Sequence, residues 1–162
     1  MTRRWRSVAY AGVAVGVALS ALVIPISGCA HSSSDTSASE LTTIVGDIQA
    51  DLTAMSTIAD HYLRSGKTGD LAEYQRVSAP LPKDMNKLLQ WGGEAGSPME
   101  PKVTALLEAT QDEAQIIELA VAASIHGGVT FGPALARGLD GKLPRARVSF
   151  ERAKLALEDA SI

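Results

Sequence analysis

From residue 41 onward the larger apolar side chains fall at Leu41, Val45, Ile48, Leu52, Met55, Ala59 and Tyr62, in alternating steps of four and three. An α-helix turns once every 3.6 residues, so this spacing lines all seven along one face and leaves the others to water. Such a stripe is satisfied by burial against further helices, as in the seam of a bundle, and a strand of period two would scatter it over both faces. Ser37 followed three residues later by Glu40 forms a capping box, and Gly66 behind Arg64 is a stop signal. The first helix is therefore expected over 39–65.

The rest of the chain supplies the partners for that stripe. Asp70 and Glu73 make a second capping-box-like start, and Leu71, Tyr74 and Val77 continue an apolar face until Pro80 and Pro82 interrupt the ladder. A second piece over 82–91 carries Met85, Leu88, Leu89 and Trp91 before Gly92-Gly93. Ser97-Pro98-Met99-Glu100 is a strong start for a third helix, with Val103, Leu106, Leu107, Thr110, Ala114, Ile117, Val121 and Ile125 on one side and a stop at Gly127-Gly128. Residues 129–141 read as a Gly-rich connector, with Phe131 and Leu135 to pack and Pro133 to start a short helix. Leu143, Ala146, Phe150, Ala153 and Leu157 restore the three-four spacing behind Pro144 for a last helix over 144–159. No segment alternates like a strand, so the expected fold is all-α: an up-down bundle of about four helices, the second interrupted by prolines. Beyond residue 28 there are five aromatics against twenty alanines, which points to closely spaced helices around a slim aliphatic core. Gly46, inside the first helix, is expected to be compensated by close approach of a neighbour.

The amino-terminal segment obeys different physics. Arg3, Arg4 and Arg6 precede an uncharged apolar run from Val8 to Ile26, closed by Pro25 and the tetrad Ile26-Ser27-Gly28-Cys29. This arrangement resembles the signal peptide and lipobox of bacterial lipoproteins, and the Ala-, Val- and Gly-rich composition is similar to that of actinobacterial envelope lipoproteins. The resemblance covers residues 1–29 and implies cleavage between Gly28 and Cys29, a diacylglycerol on the Cys29 sulfur, and residence on the extracytoplasmic side of the cell membrane. Cys29 is the only cysteine, so an exported fold must stand without an internal disulfide. The expected organisation is a signal peptide over 1–28, the lipidated cysteine with a flexible linker over 29–38, and a helical domain over 39–162. The linker AHSSSDTSA reaches at most ~30 Å when extended and averages roughly 16 Å as a coil, which keeps the domain near the bilayer.

The chain carries a net charge of −3, and without residues 1–28 and their three arginines it holds twelve Lys/Arg against eighteen Asp/Glu, or −6. Nucleic acid is thereby excluded as a general partner. In an up-down bundle the first and third helices run parallel, which brings His61 and Tyr62 to the same end as His126. Imidazole and phenolate can hold an apolar ligand, a metal or haem, although histidines near helix C-termini are equally favoured by the helix dipole. Ile58 and Ala123 stand where a di-iron bundle needs glutamates, three scattered histidines match no zinc spacing, and neither metal nor cofactor is expected. Residues 127–133 lack the Lys-Ser/Thr ending of a phosphate loop, and no nucleophile-base pairing is legible, so no enzyme is expected. Glu100, Glu108, Asp112, Glu113 and Glu118 oppose Lys102 on the third helix, while Arg137, Lys142, Arg145, Arg147, Arg152 and Lys154 outnumber Asp140 and Glu151 after it. These charges are expected to pair between antiparallel neighbours; alternatively the basic stretch meets anionic headgroups or an acidic partner. The functional expectation is a binding or adaptor module that engages another envelope protein. The alternative is a carrier of a small apolar ligand, lipid or haem, between helices parted at Pro80 and Pro82.

Overall fold

The computed structural model describes residues 34–92 and 96–160, side chains of 34–37 and Val129 excepted. Among the described residues five α-helices follow one another: α1 Ser34–Ser65, α2 Thr68–Ser78, α3 Leu81–Gly92, α4 Glu100–Gly127 and α5 Gly132–Glu158, with a 3₁₀ turn at Val129–Phe131 between the last two. No strand occurs among the described residues. α2 and α3 are separated at Ala79 and Pro80 and together form one leg, so the four legs run up, down, up, down.

The cross-helix bonds set these directions. Lys87 near the end of α3 reaches toward Asp47 in the first half of α1, while Asp70 at the start of α2 meets His61 near the end of α1. Gln49 bonds to Glu151 and Lys154, Arg147 donates to Ser56, and Arg64 donates to Asp140, so α5 descends as α1 rises. The base of the bundle therefore gathers the start of α1, the end of α3, the start of α4 and the end of α5. The apex gathers the end of α1, the start of α2, the end of α4 and the start of α5.

All seven residues of the α1 stripe are buried, joined by Ile44 and Leu63. They pack on Tyr74, Leu81 and Leu88 from the second leg, on Val103, Leu106, Ile117 and Val121 from α4, and on Ala136, Leu139, Leu143, Phe150 and Leu157 from α5. Each fully buried Leu or Ile contributes roughly 1.5–3 kcal/mol of burial free energy. Ser32–Ile162 form a compact unit of their own and supply every residue of this core.

Several expectations are corrected at the helix ends. α1 begins at Ser34, inside the segment 29–38 expected as a linker. α2 begins at Thr68 behind Lys67, which makes no side-chain cap, and Asp70 sits in its first turn. α4 starts at Glu100 behind Met99, not at Pro98 behind a Ser97 cap as expected: the Glu100 carboxylate accepts from the Gly96 N–H at 2.7 Å and the Ser97 hydroxyl from the Met99 N–H at 3.2 Å, in a turn that precedes the helix. Ile125 is 50 % exposed while Ser124 beside it is buried, so the last turn of α4 packs with Ser124 inward and Ile125 turned to solvent. Gly46 has nothing within 4 Å of where a Cβ would stand, so no neighbouring helix approaches it.

The largest departure is α5. It absorbs the expected connector and passes through Gly138, Gly141 and Pro144 as one helix. Burial of Ala136, Leu139 and Leu143 on one side outweighs the poor helix propensity of the glycines and the donor missing at Pro144. At its start Gly132 lies against α1 so closely that a Cβ there would sit 2.0 Å from the Leu63 carbonyl oxygen. Only hydrogen fits at that contact.

Candidate functional site

Gly28 and Cys29 lie outside the described residues. His61, Tyr62 and His126 all stand at the apex, as the up-down topology requires, but their side chains part company. Tyr62 turns into the core, whereas His61 and His126 are exposed. The His61 Nδ1 lies 3.2 Å from Asp70 Oδ2, and Asp70 also accepts from the Ser65 hydroxyl. This trio ties the end of α1 to the start of α2. None of the five cavities described below is lined by His61, Tyr62 or His126. Among the described residues no group of three or more His, Cys, Asp or Glu is placed to hold a metal ion.

A polar band crosses the bundle at mid-height. Glu113 of α4 is 2 % exposed and points inward, where Arg147 donates to it at 3.2 Å and to the Ser56 hydroxyl at 2.8 Å. Burial pushes the Glu113 carboxyl above its ordinary range and the guanidinium opposes that push. Nearer the base, Gln49 donates to Glu151 and accepts from Lys154, both at 2.9 Å. On the opposite side of α1, Asp51 shares a small acidic group with Asp47 and Asp84, relieved by Lys87. Burial raises the Asp51 carboxyl first, followed by repulsion from and hydrogen bonding with Asp84. Tyr74 is buried with no partner for its hydroxyl among the described residues, and burial beside Glu118 pushes its phenol up to about 12.

The expected pairing of α4 acids with α5 bases is realised at one place among the described residues, Glu113 with Arg147. Asp140 turns to Arg64 and Glu151 to Lys154. Arg137, Lys142, Arg145 and Arg152 have no ion pair among the described residues. Simple counting of opposite charges missed this, because pairing depends on which face of each helix turns toward the other.

The exterior holds the most distinctive surface. A groove follows the α4–α5 seam: its apical stretch is lined by Ile116, Leu119, Ala120, Ala134, Leu135, Gly138, Leu139 and Lys142 and encloses about 220 Å³. The middle stretch runs past Asp112 and Arg145, and the basal stretch past Glu108 and Arg152. Small residues on both walls keep it open: Ala105, Ala109 and Ala120 from α4, and Ala134, Gly138, Gly141, Ser149 and Ala156 from α5. The apical lining is almost wholly apolar, and Leu119 stands at its mouth 62 % exposed. Another cavity lies between α1 and α5 around Ser56, Asp60 and Pro144, and one lies along α5 itself. None of the five is lined by Pro80 or Pro82, where an apolar ligand was expected to enter.

Among the described residues no helix is long and apolar enough to cross a membrane. No protein-family model matches the chain, and no curated protein or solved structure matches it.

Proposed function

We propose that the chain is a lipid-anchored extracytoplasmic binding module, held to the cell membrane through Cys29, whose bundle receives another envelope protein in the apical α4–α5 groove. The observation that carries this assignment is the pairing of a filled core with an open apolar groove. The inward faces of all four legs are occupied by one another, whereas Leu119 remains largely in water above a trough of small residues. Exposed apolar surface collected in a concave, small-residue setting is what an apolar side of a partner helix packs against. Lys142 at the edge adds one fixed positive charge to orient that partner. The module is non-enzymatic in this assignment, and its acidic balance keeps it from nucleic acid.

The lipobox tetrad Ile26-Ser27-Gly28-Cys29 supports the anchor, and the start of α1 at Ser34 leaves four residues between the acylated cysteine and the folded body. Intact-mass measurement of the membrane-extracted protein should show residues 1–28 removed and Cys29 acylated; a bare thiol removes the anchor. For the groove, a photo-crosslinking residue at Leu119 in cells should give one recurrent protein adduct, and one at the exposed Gln111 should not. Equal labelling from both positions counts against the groove. The second assignment, carriage of a small apolar molecule, draws on the same apolar trough. Native mass spectrometry of residues 32–162 separates the two, since a carrier retains a bound mass and an adaptor does not.

A further inference from the structure

We propose that the outward strip of α5, formed by Arg137, Arg145, Val148, Arg152 and Leu155, docks the bundle side-on against an anionic lipid bilayer. At 100° per residue these five fall within an arc of about 80°, opposite the face that packs in the core. All five are exposed, and Val148 and Leu155 leave 56 % and 57 % of their surface in water. A shallow trough between Val148 and Leu155 is edged by Arg147 and Arg152 and by the Glu151 carboxylate, which is turned to Lys154. Guanidinium groups match phosphate oxygens in a bidentate way, and apolar side chains interleaved with them can dip to the acyl boundary, the pattern of an interfacial helix.

The surrounding charges leave this strip positive. Of the acids on and just past α5, Asp140 is engaged by Arg64 on the α1 side, Glu151 by Lys154 and Gln49, and Glu158 also has a partner, whereas exposed Asp159 lies on the strip's own side and offsets one of its three arginines. Glu108 and Asp112 of α4 lie across the groove from Arg152 and Arg145 without forming an ion pair among the described residues. The body as a whole is acidic, but at physiological salt charges more than about 8 Å from the contact are largely screened, so the local strip decides.

The choice of a bilayer over an acidic protein rests on the anchored assignment above, through geometry. A chain from Cys29 to Ser34 spans at most ~17 Å. It joins α1 at the base, and α1 lies antiparallel beside α5 with Gln49 bonded to Lys154. The end of α5 that carries Arg152 and Leu155 is therefore the end at which the tether arrives.

The test uses residues 32–162, which hold the whole core and lack Cys29, sedimented with vesicles of phosphatidylcholine alone or mixed with phosphatidylglycerol. Binding is expected to the mixed vesicles only and to weaken with salt. It should drop about fivefold per arginine removed, or roughly thirtyfold for the Arg145→Gln, Arg152→Gln pair. Val148→Ser with Leu155→Ser should weaken it without altering the salt slope. An unchanged urea midpoint keeps either variant interpretable. Binding to neither vesicle, equal binding to both, or full binding by the double arginine variant overturns the proposal. Retention on an immobilised acidic peptide without vesicle binding does the same, and gives the strip to a protein. Because the body carries no anchor, a bare Cys29 in the full chain would undo the tether while salt-sensitive vesicle binding still upheld the strip.

Discussion

Gly132→Ala is the sharpest probe of how the bundle closes. The added Cβ would stand 2.0 Å from the Leu63 carbonyl oxygen and 3.0 Å from its carbon, against about 3.4 Å for ordinary contact. The first turn of α5 must therefore retreat by roughly 1.4 Å from the end of α1, and no flexible side chain is available to yield. Overpacking of this kind costs about 1–3 kcal/mol, and alanine before Pro133 is further disfavoured in helical geometry. The propensity gained by replacing glycine, at most ~1 kcal/mol in a helix interior, is smaller at a first helical residue. A net loss of about 2 kcal/mol follows, which at a urea slope of roughly 1–2 kcal/mol per molar lowers the midpoint by about 1–2 M. Equilibrium urea unfolding followed by circular dichroism reads this directly. Gly46→Ala, Gly138→Ala and Gly141→Ala, where a Cβ meets nothing within 4 Å, should each raise stability by about 0.5–1 kcal/mol. If Gly132→Ala behaves like those three, the close approach of α5 to α1 is wrong.

Arg147→Met should destabilise by about 3 kcal/mol at neutral pH, since it leaves Glu113 buried without its cation. Adding Glu113→Gln should recover most of that loss, and unfolding of the single and double variants checks both. Tyr74→Phe should hold or raise stability, by about 1 kcal/mol at most, with a melting temperature no lower than the parent's, because the lost hydroxyl has no partner among the described residues. The pH dependence runs opposite to ordinary acid denaturation over one window. Asp51 and Glu113 are both raised on folding, so the native chain binds more protons than the unfolded one between their ordinary and raised values. Their contribution is most favourable below the ordinary carboxylate range and is lost as pH rises through the raised values, so it should grow as pH falls from neutral toward the ordinary carboxylate range. Asp51→Asn should flatten that slope; an unchanged slope in thermal melts refutes the assignment.

The α1 stripe was legible because seven residues obeyed one period and all seven had somewhere to go. The proline break was legible because a missing backbone donor dictates it locally, and the start of α4 was legible in place but not in cap, since Ser97 and Glu100 shape the turn before a helix that begins at Glu100. α5 was not, since Gly138, Gly141 and Pro144 each argue against a helix and only the partners buried by Ala136, Leu139 and Leu143 reverse the balance. The groove was equally hidden. Ala134, Gly138 and Gly141 recur at steps of four and three, a signal of close approach, but a run read as a connector offered no helix on which to place them. His61 and His126 illustrate the reverse case: topology put them at one end, yet the side-chain direction that decides a site is set by Asp70 for one and by exposure for the other.

An even number of antiparallel legs returns the polypeptide to the side from which it set out. A fluorescent or affinity tag appended after α5 would consequently be delivered to the floor of the molecule, next to where any acyl chain enters, and would crowd the lipid-proximal surface. A reporter inserted at Gly66, between α1 and α2, would instead ride on the crown and leave that floor clear.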